Sequence, residues 1–434
     1  QWHSSMSFHE SWTTEERAAL TQFERYLHIQ LADDMGLGKT FTGSEKLIRL
    51  GGRINLVICQ KSKIDDWMNH FREHYDGTEV EVFNVTDKKG LELFQMFTIG
   101  EWRGDIDQII GVINYDLIFR RPELLKLKYD TIMLDESSII QNRTSKRSKA
   151  ILKIDSKNVI LLSGTPTGGK YERLWSQIKL LGWDISEKLF MNQYVIYHYE
   201  DNEGFPLLII DGYKNVDRLK RKLREYGAHF LMTEEVFDLP KQIHNNVYVK
   251  TSKEYWKFKK DRIINIDGID FVGDTTLTKM LYERQLCGLV SKEKLEAFRD
   301  IVESTDDRLI VFYNFNSELY ELEKICEGRN KSYVNGSIKE LYAYNTSNDS
   351  ITFIQYQAGA MGLNLQKANK IVYFTPPLSS ELFEQSKKRI HRIGQDQPCF
   401  YYYLICKGSI EERVYKTLSL RRDYTDKLFE EESD

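Results

Sequence analysis

Short runs of apolar, β-branched residues alternate with segments of helical character along this chain, and the alternation limits the folds that it can adopt. The first series of runs is HIQLA (28–32), INLVIC (54–59), VEVFNV (80–85), QIIGVINY (108–115), TIMLDE (131–136) and NVILLSG (158–164). Between them lie segments such as SKIDDWMNHFREH (62–74), which have helical periodicity. Repetition of strand, helix and strand predicts an α/β fold with a parallel sheet covered on both faces.

The pattern of residues 170–305 predicts mainly charged, amphipathic helices. A second series of strand-like runs follows this stretch. Its members are RLIVFYNF (308–315), KSYVNG (331–336), SITFIQYQ (350–357), KIVYFTPP (370–377) and CFYYYLIC (399–406). A chain of 434 residues is also too long for one ordinary core. We predict a first lobe at 1–240 with a helical insertion from about 170, a helical connecting region at 241–305, a second lobe at 306–408 and a C-terminal bracing helix at 409–434.

Composition excludes several classes of protein. Hydrophobic residues make up 41% and charged residues 29% of the chain, as in a globular protein with true cores. No apolar stretch approaches the length of about 18 residues that a membrane span needs. The five cysteines occur singly, and residue 1 begins no signal peptide, so we expect an intracellular protein with reduced thiols. The expected compartment is the cytoplasm or nucleoid, or the host cytoplasm if a phage encodes the chain, and a monomer is the default.

The segment LADDMGLGKTFTG follows the first predicted strand and begins a helix, which is the context of a phosphate-binding loop. Its glycines allow several backbone N–H groups to point at one anion, and the helix N-terminus adds a partial positive charge. Lys39 would reach the β- and γ-phosphates, and Thr40 would bind Mg²⁺. The general pattern has glycine where this chain has Asp33, so the loop alone leaves open an accidental match.

Two carboxylates at the end of the strand in TIMLDESS supply the groups that the loop lacks. Asp135 would hold Mg²⁺ and Glu136 would polarise the attacking water. An Asp-Glu pair can also end a strand as ordinary solvated residues. The ordered occurrence of both motifs, each on the expected secondary structure, favours a nucleoside triphosphatase.

The full set of motifs resembles the Swi/Snf family of helicase-like ATPases, within helicase superfamily two. The matching segments are LADDMGLGKT, LVICQKSKIDDW, TIMLDESS, LLSGTPTGG, FIQYQAGAMGLNLQ and EQSKKRIHRIGQ, and they extend from about residue 28 to 420. In that family Asp stands at the position of Asp33. The resemblance implies two RecA-like lobes, ATP and Mg²⁺ as ligands, and ATP hydrolysis coupled to translocation along double-stranded DNA. Little room for insertions between the lobes suggests a minimal motor of bacterial or phage type.

The resemblance also assigns roles to individual residues. Those expected at the nucleotide are Asp33, Gly36, Leu37, Gly38, Lys39, Thr40 and Gly362, with Mg²⁺ held by Thr40 and Asp135. Those expected in catalysis are Lys39, Glu136, Gln385, Arg389 and Arg392. Those expected at the nucleic acid are Lys61, Ser62, Lys63, Thr165, Asn335, Gly336, Gln357 and Ala358. Ser138 replaces the histidine that is usual in the family, so the relay of nucleotide state to the other lobe can differ in detail.

Arg389 and Arg392 stand at i and i+3, which predicts one shared helix face. A solvated basic face is the ordinary interpretation of such a pair. The first-lobe motifs contain no arginine, however, and an arginine supplied from elsewhere accelerates phosphoryl transfer by about 10³ to 10⁵. We therefore predict that these arginines act on the γ-phosphate when the lobes close.

The sequence is compatible with three functions. The first is a double-stranded DNA translocase, and the second is a strand-separating helicase acting on DNA or RNA. The third is a nucleic-acid-binding scaffold with weak ATPase activity. The net charge of −4 does not indicate a nucleic-acid partner by itself, although the basic runs at 142–149, 214–224 and 253–262 could follow a phosphate backbone.

Overall fold

The structure is a computed structural model that describes residues 28–31, 39–75, 80–100, 106–164, 166–167, 169–202, 205–229, 239–359, 363–392 and 394–429. The chain divides into two compact units, of which the first comprises residues 1–232 and 425–434 and the second residues 233–424. Each unit contains a seven-stranded sheet with helices in its connections. The predicted α/β class with two parallel-sheet lobes is confirmed.

The first sheet has the strand order β3-β4-β2-β5-β6-β1-β9, and neighbouring strands are parallel throughout. The strands are β1 His28–Leu31, β2 Ile54–Cys59, β3 Val80–Asn84, β4 Gln108–Asn114, β5 Lys128–Asp135, β6 Asp155–Leu162 and β9 Ala228–His229. A separate antiparallel hairpin is formed by β7 Val195–Asn202 and β8 Phe205–Tyr213. All six runs of the first series thus form strands of this sheet.

Apolar side chains cover both faces of the first sheet. Leu56 and Ile58 of β2 lie in one buried cluster, whereas Val57 and Cys59 lie in another. Successive side chains of a strand point to opposite faces, so this division shows a core on each side. Every residue of β4 is buried, as expected of a strand covered on both faces.

The helices of the first unit connect these strands. They are α1 Lys39–Arg49, α2 Ile64–His74, α3 Lys88–Thr98, α4 Tyr115–Ile118, α5 Pro122–Leu125, α6 Lys146–Ile151, α7 Trp175–Leu180, α8 Glu187–Tyr194 and α9 Val216–Glu225. Short 3₁₀ helices lie at Lys61–Lys63, Ser137–Ile140 and Tyr171–Leu174. Polar caps begin several of the α-helices; the Asp87 carboxylate, for example, accepts a hydrogen bond from the Gly90 N–H at the start of α3.

The second sheet has the order β10-β18-β17-β13-β16-β14-β15, and its pairs are parallel except β14–β15. Its strands are β10 Gln242–Val249, β13 Leu309–Tyr313, β14 Lys331–Val334, β15 Lys339–Glu340, β16 Ile351–Gln355, β17 Lys370–Tyr373 and β18 Cys399–Cys406, with β11 Ile263–Ile266 and β12 Ile269–Val272 forming a hairpin outside it. All five runs of the second series form strands. Stacked rings fill part of the core, with Tyr373 against Tyr403 at 5.2 Å and Phe312 at 5.6 Å between ring centroids.

The helices of the second unit are α10 Lys253–Asp261, α11 Thr276–Leu289, α12 Lys292–Glu303, α13 Asn316–Ile325, α14 Tyr342–Thr346, α15 Tyr356–Gly359 and α16 Ser380–Lys387. The C-terminal helix α17, Ile410–Phe429, begins in this unit, where Leu418 enters the buried core. In the part of the chain that the structure describes, no helix has both the length and the apolar character to cross a bilayer.

The stretch 170–305 contains more strand than its sequence predicts. The β7–β8 and β11–β12 hairpins interrupt the helices, and β10, in the region expected to be a helical connection, is an edge strand of the second sheet. Gln242 pairs with Cys399 and Val249 with Cys406 in this register. The sequence QIHNNVYV is too polar to stand out as a strand, and its partner β18 lies far along the chain, so local pattern could not identify it.

Candidate nucleotide site and nucleic-acid segments

Lys39 begins α1 at the carboxyl end of β1. Four expected nucleotide residues, Asp33, Gly36, Leu37 and Gly38, lie outside the described residues. Lys39 is partly buried and Thr40 is exposed. Burial raises the pKa of the Asp135 carboxyl, and the positive charge of Lys39 is among the influences that oppose this rise, so the two groups interact electrostatically. In a parallel sheet, ligands bind at the carboxyl ends of the strands, which is where both residues stand.

Asp135 is the last residue of β5, and its side chain is held by a hydrogen bond. The Trp67 indole N–H donates to Asp135 Oδ2 over 2.9 Å. Loss of hydration raises the pKa of this carboxyl, while the Trp67 hydrogen bond and the charges of Lys63 and Lys39 oppose that rise. A poorly hydrated carboxylate of this kind gains from a nearby cation.

Glu136 follows in an unusual backbone conformation. Its φ of 59° and ψ of 59° lie in the left-handed region, which costs a non-glycine residue about 1–3 kcal/mol and is concentrated at functional sites. Its Oε1 accepts hydrogen bonds from Ser138 Oγ at 3.1 Å and Ser163 Oγ at 3.0 Å. Ser138, which replaces the usual histidine, therefore orients the expected water-activating carboxylate.

Hydrogen bonds also connect the DESS and SGTP motifs. Ser137 Oγ donates to Gln177 Oε1 at 2.9 Å, and Gln177 Nε2 donates to the Pro166 carbonyl at 2.6 Å. Ser163 and Pro166 belong to SGTP, whereas Thr165 lies outside the described residues. The two motifs thus form one hydrogen-bonded edge of the first sheet.

The donor set at this edge fits Mg²⁺. The ion prefers oxygen ligands and usually takes only one or two carboxylates from a protein, beside phosphate and water. Asp135 offers a carboxylate beside the positive charge of Lys39, and the hydroxyl of Thr40 is exposed next to Lys39. These oxygen donors fit the predicted metal roles of Asp135 and Thr40.

In the second unit, the predicted shared helix face of Arg389 and Arg392 is wrong, because α16 ends at Lys387. The Arg389 N–H bonds the Ser386 carbonyl, and the Arg389 carbonyl accepts from the Leu365 N–H at 3.1 Å. This contact with a distant segment takes the backbone out of the helix. Arg389 is 8% exposed, and its Nη1 donates to the Leu363 carbonyl at 3.3 Å.

Arg392 lies in a different environment. Its Nη1 donates to Asn364 Oδ1, the side chain is only partly buried, and burial lowers its pKa from the usual arginine value. Gln385 is buried on α16 and donates to Glu381 Oε1 at 3.4 Å. The RIHRIGQ and GLNLQ motifs are thus joined in space, with Arg392 as the more accessible of the two arginines.

Apart from Thr165, the expected nucleic-acid residues fall in loops and short helices that follow strands. Lys61 and Ser62 are exposed in the 3₁₀ helix after β2, while Lys63 pairs with Asp66 at 2.7 Å. Asn335 follows β14, and its Oδ1 accepts the N–H groups of Ser337 and Ile338, both at 2.9 Å. Gly336 and Gln357 are exposed, Ala358 lies in α15, and Gly362 lies outside the described residues.

Two family models together match most of the chain. A model described as SNF2-related domain matches residues 24–295, and a model described as Helicase conserved C-terminal domain matches residues 293–394. The chain belongs to the SNF2-related family. The resemblance to Swi/Snf ATPases is thereby confirmed, and it places this SNF2-related chain among helicase-like, ATP-dependent hydrolases.

Relatives of this SNF2-related chain are distant in sequence. It is 24% identical over 436 residues to a Mycoplasma pneumoniae protein named Uncharacterized ATP-dependent helicase, covering 93% of this chain and 40% of that protein. It is 24% identical over 449 residues to the Homo sapiens SWI/SNF-related matrix-associated actin-dependent regulator of chromatin subfamily A member 1, covering 93% of this chain and 42% of that protein. The chain thus spans less than half the length of these relatives.

A solved structure titled Sulfolobus solfataricus SWI2/SNF2 ATPase core in complex with dsDNA is also similar to the SNF2-related chain. The match covers 95% of this chain and 90% of that one, with 21% identity and a TM-score of 0.40.

The structure of the SNF2-related chain brings Lys39, Asp135 and Glu136 to one sheet edge, as the motifs predict. Sequence reasoning missed the contacts of Trp67 with Asp135 and of Ser163 with Glu136. It also missed Gln177, which links the Ser137 hydroxyl to the Pro166 carbonyl. Trp67 ends the motif LVICQKSKIDDW, and its position shortly after a strand was the available signal. Its partner Asp135 is 68 positions away, so the contact itself could not be inferred.

Proposed function

We propose that this chain is the ATP-hydrolysing motor of a translocase on double-stranded DNA, which moves along the duplex without obligatory strand separation. The observation that carries the proposal is the grouping of Lys39, Asp135 and Glu136 at the carboxyl edge of the first sheet. The names of the two relatives, an ATP-dependent helicase and a regulator of chromatin, favour DNA as the polymer.

In the proposed reaction, Lys39 binds the β- and γ-phosphates, while Asp135 and Thr40 hold Mg²⁺. When bound, Mg²⁺ would supply positive charge that offsets the negative charge developing on the phosphates. Glu136, oriented by Ser138 and Ser163, positions and polarises the attacking water. Asp33, Gly36, Leu37 and Gly38 are proposed to complete the phosphate loop.

The second unit is proposed to complete the reaction with Arg392. Its guanidinium supplies positive charge to the γ-phosphate during transfer, and Arg389 keeps the motif in place through the Leu363 carbonyl. Gln385 and Gly362 are proposed as further residues of this part of the site. Hydrolysis would then depend on a residue of the second unit as well as on the residues of the first.

The nucleic-acid segments are proposed to bind the phosphate backbone of the duplex. Lys61 and Ser62 present a positive charge and a hydroxyl from an exposed 3₁₀ helix, and Lys63 adds a second positive charge. Thr165, Asn335, Gly336, Gln357 and Ala358 are the further proposed contacts. Because backbone contacts carry no base information, binding should depend steeply on salt and little on sequence.

The proposal is tested by the rate of ATP hydrolysis without nucleic acid and with single-stranded DNA, duplex DNA and duplex RNA. We expect strong stimulation by duplex DNA and little by the other polymers. Glu136→Gln should abolish the stimulated rate while duplex binding persists. Glu92→Gln is the matched control, because Glu92 is an exposed carboxylate on α3 of the same unit; it should behave as the unmodified protein.

Two results would overturn the proposal. Stimulation by RNA alone would change the substrate class. Hydrolysis that stays at background with every duplex and is unaffected by Glu136→Gln would favour a binding scaffold instead.

A strand-separating helicase is the second candidate, favoured by the name of the Mycoplasma relative. A strand-displacement assay on a duplex with a single-stranded tail distinguishes the two activities. A translocase should hydrolyse ATP on this substrate without releasing the strand, whereas efficient release would identify a helicase.

A further inference from the structure

Trp67 lies at the junction of two functional segments in the first unit. Its side chain is 2% exposed, and its indole N–H donates to Asp135 Oδ2 over 2.9 Å. It is the fourth residue of α2, the helix that begins immediately after the 3₁₀ helix Lys61–Lys63. One residue therefore connects the segment expected at DNA with the carboxylate expected at Mg²⁺.

Sheet topology creates this proximity. Strands β2 and β5 are parallel neighbours, with Ile58 paired to Leu134. Each strand ends one residue later, at Cys59 and Asp135. The chain that leaves β2 therefore begins beside Asp135, and α2 returns the Trp67 ring to the carboxylate.

The same face of α2 also contacts α1, the helix that begins at Lys39. The ring centroids of Trp67 and His70, at i and i+3, are 5.7 Å apart. The ring nitrogen Nε2 of His70 is hydrogen-bonded to Ser44 Oγ at 2.9 Å, and its ring lies 4.9 Å from that of Phe41. Helix α2 thus contacts both the metal-binding and the phosphate-binding sides of the proposed site.

We propose that Trp67 is a positioning residue, whose indole N–H holds the Asp135 carboxylate in the orientation that receives Mg²⁺. This inference rests on the proposed function of the site. The Trp67 hydrogen bond restricts rotation of the carboxylate and so favours one orientation toward the ion. Loss of such a supporting contact typically weakens metal affinity or activity by about 10- to 100-fold.

The competing explanation is that Trp67 only fills the core. Its ring belongs to the buried cluster that includes Met68 and Phe71, so truncation to alanine would mix packing with positioning. Trp67→Phe keeps an aromatic ring and removes the N–H donor. Trp175→Phe is a matched control, because the Trp175 indole N–H donates over the same distance, 2.9 Å, to the Ile185 backbone carbonyl.

The test measures the affinity of a fluorescent ADP analogue during a Mg²⁺ titration, with thermal unfolding in EDTA as the check on folding. For Trp67→Phe we expect about 10- to 100-fold more Mg²⁺ for half-maximal enhancement of nucleotide binding. Binding without Mg²⁺ should match the unmodified protein. Trp175→Phe should leave the Mg²⁺ requirement unchanged.

A double-mutant cycle with Asp135→Asn separates positioning from packing if Trp67→Phe is also destabilised. When Trp67 acts through the carboxylate, its substitution has no further effect on the Mg²⁺ requirement in the Asp135→Asn background. The inference would be overturned if Trp67→Phe raised the Mg²⁺ requirement equally with and without Asp135→Asn. It would also be overturned if the Mg²⁺ requirement of Trp67→Phe equalled that of Trp175→Phe. Absence of DNA-stimulated hydrolysis in the unmodified protein would instead overturn the proposed function, and the Mg²⁺ comparison would still test Trp67.

Discussion

The first unit holds two carboxylates among side-chain hydrogen-bond donors, whereas the second unit holds two arginines that donate to a neighbouring segment. In the first, Asp135 and Glu136 lie at a strand end and receive hydrogen bonds from Trp67, Ser138 and Ser163. These donors orient acceptor groups directly, so the carboxylates are organised by side chains around them.

In the second unit, the cationic groups follow the end of a helix and donate to a neighbouring segment. Arg389 is buried against the Leu363 carbonyl, whereas Arg392 is only partly buried and reaches Asn364. Arg389 is therefore suited to a structural role, whereas Arg392 is suited to the proposed role at the phosphate. Residue type alone does not distinguish these roles. In the first unit, side-chain donors orient both carboxylates, whereas in the second unit one arginine is buried and the other is only partly buried.

The largest expected effect separates the two arginines. Arg392→Ala should lower the stimulated rate of ATP hydrolysis by about 10³ to 10⁵, with little change in unfolding temperature or duplex binding. Arg389→Ala should lower stability by about 1–3 kcal/mol, because it leaves a buried carbonyl without its donor. Steady-state kinetics and thermal unfolding on both variants measure the contrast. If Arg392→Ala turned over normally, its proposed role at the phosphate would be lost.

The next effect concerns a buried ion pair in the second unit. Lys294 Nζ lies 2.6 Å from Glu411 Oε1, and both side chains are 0% exposed. Lys294→Ala should cost about 3–5 kcal/mol, because the Glu411 carboxylate would stay buried without its partner. Chemical denaturation, monitored by hydrogen exchange of amides in the second unit, measures the loss in the free energy of unfolding.

Lys88→Ala is the control for this prediction, since Lys88 and Glu92 form an exposed pair in the first unit. It should leave stability unchanged within error. The double substitution Lys294→Met with Glu411→Leu should recover much of the loss, because it removes both buried charges. A Lys294→Ala protein as stable as the unmodified one would contradict a stabilising role for the pair.

The smallest expected effect is a pH dependence located in the first unit. Burial, assisted by the charge of His74, lowers the pKa of His70 from 6.5 to about 4. Between these values the unfolded chain binds more protons than the folded one, so stability falls as pH falls. Lowering the pH from 7.5 to 5 should therefore cost about 2 kcal/mol at this site.

Two variants check the assignment to His70 through urea unfolding at several pH values. His70→Gln should remove this part of the pH slope. His74→Gln should reduce it only partly, because burial is the larger cause. An unchanged slope in His70→Gln would assign the acid sensitivity to another group.

The pattern of apolar residues was sufficient to find most strands of both sheets, because parallel strands covered on both faces need continuous apolar runs. It failed for β10, whose polar residues form an edge strand only because β18 supplies its hydrogen-bond partners. It also failed at the end of α16, where Arg389 makes backbone contact with Leu365. Both failures arise from contacts between residues far apart in the chain.

The sequence by itself determined the α/β class, most strands of the two sheets and the chemical groups available at the strand ends, because these depend on local pattern and residue type. Only the tertiary structure decided which groups support one another. Trp67 reaches Asp135 because β2 and β5 are neighbours in the sheet, and Arg389 is buried because the 363–366 segment covers it. Burial and hydrogen bonding between distant residues are properties of the packed chain, so no local pattern specifies them.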